Sequence, residues 1–213
     1  MYKSILTLVC LWIISSSLQA QKYTQFKSDF TIVEKEVGDS TKSSILIGEV
    51  YYNAETNETK YNIKFPEVGQ WHFMDSTLLV SQQDTSFSVR RSNEINSQSI
   101  FKNMLSSTSN DFGLEEQGYV IKHIDKKDQQ VFIEWQPPAA AKDFLSTVVT
   151  KVKNNDLLAV IFYTADEKVL NTTYFEDYLM INGVQVPSRI KSHFSTTTSK
   201  MYKVISFENV EID

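Results

Sequence analysis

Cysteine is almost absent from this chain: Cys10 is the only one, and it lies inside the most apolar stretch. If the leader is cut off, as argued below, no thiol remains, which excludes disulfides, thiol nucleophiles and cysteine-ligated metals from the mature protein. A domain of about 190 residues buries enough core to fold without such staples. Glycine and proline are also scarce, at six and four residues. No phosphate-cradling glycine loop and no low-complexity linker is present, and no composition shift marks a second domain. Cations are in deficit, with 21 Lys and Arg against 26 Asp and Glu and no basic run. Nucleic-acid binding draws much of its affinity from phosphate neutralisation, so it is excluded as the main role.

The one long hydrophobic run is itself short. Met1-Tyr2-Lys3 opens with a cation, and Ile5 to Ile14 is nearly all apolar. Ser15-Ser16-Ser17 and Leu18-Gln19-Ala20 then supply small residues for a signal peptidase. Ten or so apolar residues fall well below the roughly 20 that span a bilayer. The layout is that of a secretory signal peptide over residues 1–20, leaving 21–213 as a single exported domain. An acylated anchor at Cys10 would need a small residue before it. Val9 stands there, with only Ile5 to Val9 between Lys3 and the cysteine.

What fills the mature chain is strand signal: period-two alternation, β-branched and aromatic residues, and short polar breaks. Residues 61–65 are the clearest case, with Tyr61, Ile63 and Phe65 on one side, Lys60, Asn62 and Lys64 on the other, and Pro66 as the stop. Asn182-Gly183 is the strongest hairpin signal, because its turn type needs positive φ at both positions. Only 92–105 and 142–145 read better as helix. The pattern predicts a mainly β fold, a curved antiparallel sheet or unclosed β-barrel of about ten or eleven strands, with two or three short helices across its mouth.

Catalytic constellations are missing from the pattern. His72, His123 and His193 each sit alone in a predicted strand, with no HxH or HExxH spacing and no Gly-x-Ser-x-Gly elbow. Glu115-Glu116 and Glu176-Asp177 are adjacent pairs. Neighbouring strand residues point to opposite faces, so neither pair forms a dyad alone. No enzyme activity, metal or cofactor is expected.

Two stretches resemble a known family. Gly48, Val50, Tyr51-Tyr52, Lys60-Tyr61, Phe65-Pro66, Asp75 and Leu78-Leu79 form the first. Tyr174-Phe175-Glu176-Asp177-Tyr178 through Asn182-Gly183 to Val186-Pro187-Ser188-Arg189-Ile190 forms the second. Together they resemble the periplasmic lipoprotein carriers of the LolA family, particularly the divergent Bacteroidetes-type relatives, over roughly residues 30–210. The resemblance implies an unclosed barrel lidded by helices, in which a hydrophobic cavity shields the acyl chains of lipoproteins. It also implies an inner-membrane donor complex and an outer-membrane acceptor as partners. Where the family has a lid-tethering arginine, this chain reads Asn53-Ala54-Glu55, and Lys60 is the nearest cation.

A curved single sheet cannot fill its own interior with a few short helices, so an apolar hollow is expected. Leu46, Val50, Tyr52, Tyr61, Ile63, Phe65, Trp71, Phe73 and Phe87 are the candidate hydrophobic ligand-binding residues, continued by Val131, Ile133 and Trp135. Ile95, Phe101, Met104 and Leu105 are the candidate lid. The expected role is a soluble, monomeric periplasmic carrier or chaperone for lipoprotein or lipid acyl chains. Two alternatives stand beside it: an exported, non-catalytic protein-interaction module with a filled core, and an extracellular enzyme built on carboxylates that converge only in the fold.

Overall fold

The computed structural model describes residues 25–74, 77–82, 85–90, 101, 111–195 and 199–213. Thirteen strands occupy most of them: β1 Gln25–Glu36, β2 Asp39–Asn53, β3 Glu58–Phe65, β4 Gly69–Met74, β5 Thr77–Gln82, β6 Thr85–Arg90, β7 Val120–Lys127, β8 Gln130–Gln136, β9 Leu145–Lys153, β10 Asp156–Thr164, β11 Val169–Ile181, β12 Val184–Ser195 and β13 Lys200–Ile212. They form one antiparallel sheet in the order β6-β5-β4-β3-β2-β1-β13-β12-β11-β10-β9-β8-β7. Two hairpin meanders are thus welded where the first described strand meets the last. The sheet does not close, and its edges, β6 and β7, are consecutive in the chain.

The expectation of ten or eleven strands is corrected to thirteen. The expected helical piece at 142–145 is also corrected. A single 3₁₀ turn spans Ala139–Ala141, and Leu145 already opens β9. Pro138 enters that turn extended, at ψ 160°, and Phe144 ties back to the Ala141 carbonyl, so the chain has no room to propagate a helix. Phe101 is the one described residue of 91–110 and is helical. Ile95, Met104 and Leu105 lie outside the described residues.

Local chemistry explains the hairpins. Asn182 and Gly183 both take positive φ, 48° and 80°, as the two-residue turn between β11 and β12 requires. Asn154-Asn155 does the same between β9 and β10, at 52° and 70°. Alternation then sorts the faces. In β1, Phe26, Ser28, Phe30 and Ile32 are buried while the residues between them are not.

The core lies on that one face. Its largest fully buried side chains include Trp135, Phe26, Phe30, Phe175 and Ile190, and the segment joining the two edges adds Phe101, Phe112, Leu114 and Tyr119. The opposite face carries cross-strand ion pairs such as Lys64–Glu49 at 2.9 Å and Lys191–Glu176 at 2.6 Å.

Candidate functional site

The inner, core-bearing face is the candidate site. Its geometry follows from register. Ile32 stands opposite Leu46, Ser28 opposite Val50, and Phe26 opposite Tyr52. Val50 is matched with Tyr61, Tyr61 with Trp71, Trp71 with Val80, and Val80 with Phe87. One apolar row therefore crosses five strands, β2 to β6, and meets Ser28 on β1. Aromatic contacts bind it: Tyr61 meets Phe30 at 5.2 Å and Phe73 at 5.5 Å, both edge-on.

On the other side Trp135 faces Val148, Ile133 faces Thr150, and Val131 faces Val152. The buried Trp135 indole donates its N–H to Thr150 Oγ1 at 2.9 Å, so the ring buries its bulk without stranding its polar end. Ile121 and Ile124 of β7 continue the row opposite Trp135 and Ile133.

Exposure rises toward both edges. Val50 is 3 % exposed and Tyr61 8 %, whereas Phe87 on β6 is 52 % exposed and Ile124 on β7 49 %. The middle of the face is thus packed under the chain's own side chains, and its flanks remain apolar and open to solvent.

Eleven of the twelve candidate binding residues share this face by register: Leu46, Val50, Tyr52, Tyr61, Ile63, Trp71, Phe73, Phe87, Val131, Ile133 and Trp135. Phe65 departs from them. The β2–β3 register slips between Ile47 and Gly48, which sets Phe65 opposite Ile47, on the polar side of β2, and leaves it 47 % exposed. Of the lid candidates, Phe101 is 7 % exposed and stacks on Phe207 at 4.9 Å.

Sequence reasoning missed the central part of the face. Phe26, Phe162, Phe175, Val186, Ile190, Phe207 and Ile212 are all buried there. The alternation of Thr173-Phe175 and Ile190-Ser192 was the available signal, but hydroxyl residues at inward positions masked it. Those hydroxyls are satisfied internally, Thr173 Oγ1 and Ser192 Oγ lying 3.0 Å apart.

Among the described residues the titratable groups form no reactive cluster. No group of three or more His, Cys, Asp or Glu side chains able to hold a metal occurs among the described residues. Glu176 and Asp177 each face a cation, Lys191 at 2.6 Å and Arg189 at 3.1 Å. His72 is half-buried beside Glu58, 3.2 Å away, and His193 sits edge-on between Tyr174 and Tyr202. Burial, assisted by the charge of Asp156, pushes the Tyr178 phenol well above the ordinary tyrosine range. Tyr178 donates a 2.6 Å hydrogen bond to the Leu157 carbonyl and is held as a neutral brace. Lys60, the nearest cation to the Asn53-Ala54-Glu55 stretch, is exposed and stands opposite Tyr51 and His72, on the other side of the sheet from Tyr61.

The sequence matches no protein-family model and no curated protein. Its fold does match solved structures. A LolA superfamily protein from Nitrosomonas europaea superposes with a TM-score of 0.62 at 13 % identity, covering 89 % of this chain and 86 % of that one. A DUF1329 family protein from Desulfovibrio piger gives 0.56 at 13 % identity, covering 92 % and 88 %. A putative outer membrane lipoprotein-sorting protein domain from Vibrio parahaemolyticus gives 0.53 at 12 % identity, covering 91 % and 87 %. With one unclosed antiparallel sheet that bears its core on one face, this chain has the LolA superfamily fold.

Proposed function

We propose that the protein is a non-catalytic carrier that binds the acyl chains of a lipidated protein, or of another lipid, on the inner face of its sheet. Residues 1–20 act as the signal peptide, and residues 21–213 work in the periplasm as a monomer. An inner-membrane complex delivers the cargo and an outer-membrane acceptor takes it. No nucleotide is needed, because transfer runs toward the tighter binder.

One observation carries this reading. The apolar row does not end with the packed core but runs on to Phe87 and Val89 at one edge and Ile121 and Ile124 at the other, each 41–52 % exposed. Hydrocarbon laid along those flanks gains about 0.8 kcal/mol for each buried methylene, without any reactive group. The fold shared with the lipoprotein-sorting domain of Vibrio parahaemolyticus supports the same direction. The segment joining the two edges is the cover in this reading, with Phe101 as the residue that anchors it.

A second reading has its own observation. On the opposite face Ile45, Ile47 and Phe65 are 41 %, 39 % and 47 % exposed, a patch suited to a protein partner. In that case the protein is an exported interaction module, and its core stays closed to lipid. Titration of the mature chain with a fluorescent fatty-acyl probe separates the two. Saturable uptake that Trp71→Asp abolishes supports the carrier. Absence of uptake by a folded protein rules it out and leaves the module.

A further inference from the structure

One buried polar atom on the inner face, the side-chain oxygen of Asn171, has no partner among the described residues. Asn171 of β11 is 7 % exposed, and its side-chain oxygen is buried with no hydrogen-bond donor. Its cross-strand neighbours are Phe162 on β10 and Phe194 on β12, neither of which has a polar side chain to offer. Two residues along, Thr173 is satisfied by Ser192, and Ser192 stands opposite Lys203, whose ammonium bonds Glu34 at 2.8 Å. A polar stripe therefore leads from the buried Asn171 to a half-exposed ion pair.

A buried acceptor without a donor is destabilising, and most such groups are paired in folded proteins. In a face that receives hydrocarbon, the missing donor selects among ligands. A fatty-acid ester or carboxylate has only acceptors, so it leaves the Asn171 oxygen as it was. A secondary amide has both an N–H for that oxygen and a carbonyl for the side-chain N–H₂.

We propose that Asn171 recognises the amide linkage of an N-acylated ligand, whose acyl chain follows the row through Phe162, Val148 and Trp135 to the open flank at Ile121 and whose polar remainder follows the stripe toward Lys203 and Glu34. This rests on the carrier reading and narrows it from acyl chains in general to amide-linked ones. The same chemistry comes from two sources, the acylated N-terminus of a lipoprotein or a free amino-acyl lipid.

The test uses the mature chain with a bound dansyl-labelled fatty acid, displaced by a matched pair of ligands. N-palmitoylglycinamide and O-palmitoylglycolamide differ only in having N–H or O at the linkage. The amide should displace the probe at about ten-fold lower concentration than the ester, and Asn171→Leu should bring the two within about two-fold by weakening the amide alone. Equal potency on the unaltered protein overturns the proposal, as does a preference that survives Asn171→Leu. Failure of the dansyl probe itself to bind overturns the carrier reading instead. An N-palmitoyl hexapeptide completes the set: if it outcompetes N-palmitoylglycine the amide belongs to a lipoprotein, and the reverse order assigns it to an amino-acyl lipid.

Discussion

The ring of Phe101 lies flat on that of Phe207, with centroids 4.9 Å apart and planes at 10°, and Phe26 stands edge-on to both at 5.8 and 5.9 Å. Phe26 belongs to β1 and Phe207 to β13, the two strands that weld the meanders together. Phe101 is therefore pinned at the seam of the sheet. Phe101→Ala should lower stability in urea unfolding by about 3 kcal/mol, the usual loss for a buried phenylalanine. If the segment joining the sheet edges is a cover, the same variant should also release a bound acyl probe faster in stopped-flow.

Gly48 makes a different prediction, because it is a matter of space rather than of burial. A Cβ built there runs into the Asn62 carbonyl oxygen of β3 and comes within 3.0 Å of the Phe30 ring. Phe30 lies over the backbone at that point and packs edge-on against Tyr61, so neither neighbour has freedom to retreat. Gly48→Ala should cost about 2–3 kcal/mol by overpacking, measured as a lower midpoint of thermal or urea unfolding. A neutral result would show that β2 and β3 are farther apart than described.

The contrast between Trp71 and Phe65 tests the face assignment. Both are aromatic residues near Pro66, and alternation alone places them together. Trp71 is opposite the buried Tyr61, while Phe65 is opposite Ile47 beyond a register slip. Trp71→Asp should abolish acyl-probe uptake. Phe65→Asp should leave uptake unchanged and stability within about 0.5 kcal/mol, as for an exposed side chain. Loss of uptake in both variants would move Phe65 back to the inner face.

Those residues also show what the sequence makes legible. Alternation is a local property, so β3 with Tyr61 and Ile63 was readable, and so was the Asn182-Gly183 turn. A bulge is set by the partner strand, and nothing near Phe65 announces one. Residues 157–163 are apolar at every position, so alternation assigns them no face, and β10 indeed has Leu157, Ala159 and Val160 all buried around a register slip. The central lining failed for a third reason. Thr150, Thr173 and Ser192 look like solvent-facing residues until their partners, Trp135 for the first and each other for the last two, are placed across strands. The seam between β1 and β13 joins residues about 180 apart, beyond the reach of any pattern window.

Asp156 supplies a prediction with a definite sign. It opens β10 directly after the Asn154-Asn155 turn, opposite Lys153, and burial raises its carboxyl above the ordinary aspartate range. A raised folded-state value means that the folded protein holds its proton more tightly than the unfolded chain does. Its contribution is then most favourable below the unfolded value, and stability is lost as pH rises through the window up to the folded value. Above that window the ionised group is a constant burden. Asp156→Asn should therefore raise the unfolding midpoint at pH 7, and the gain should shrink to nothing once the pH falls below the ordinary aspartate range. Tyr178, whose phenol feels the charge of Asp156, should then titrate lower in the variant than in the parent, which ultraviolet difference spectroscopy at high pH can follow. A gain in midpoint that is the same at every pH would mean that packing, and not charge, sets the behaviour of this position.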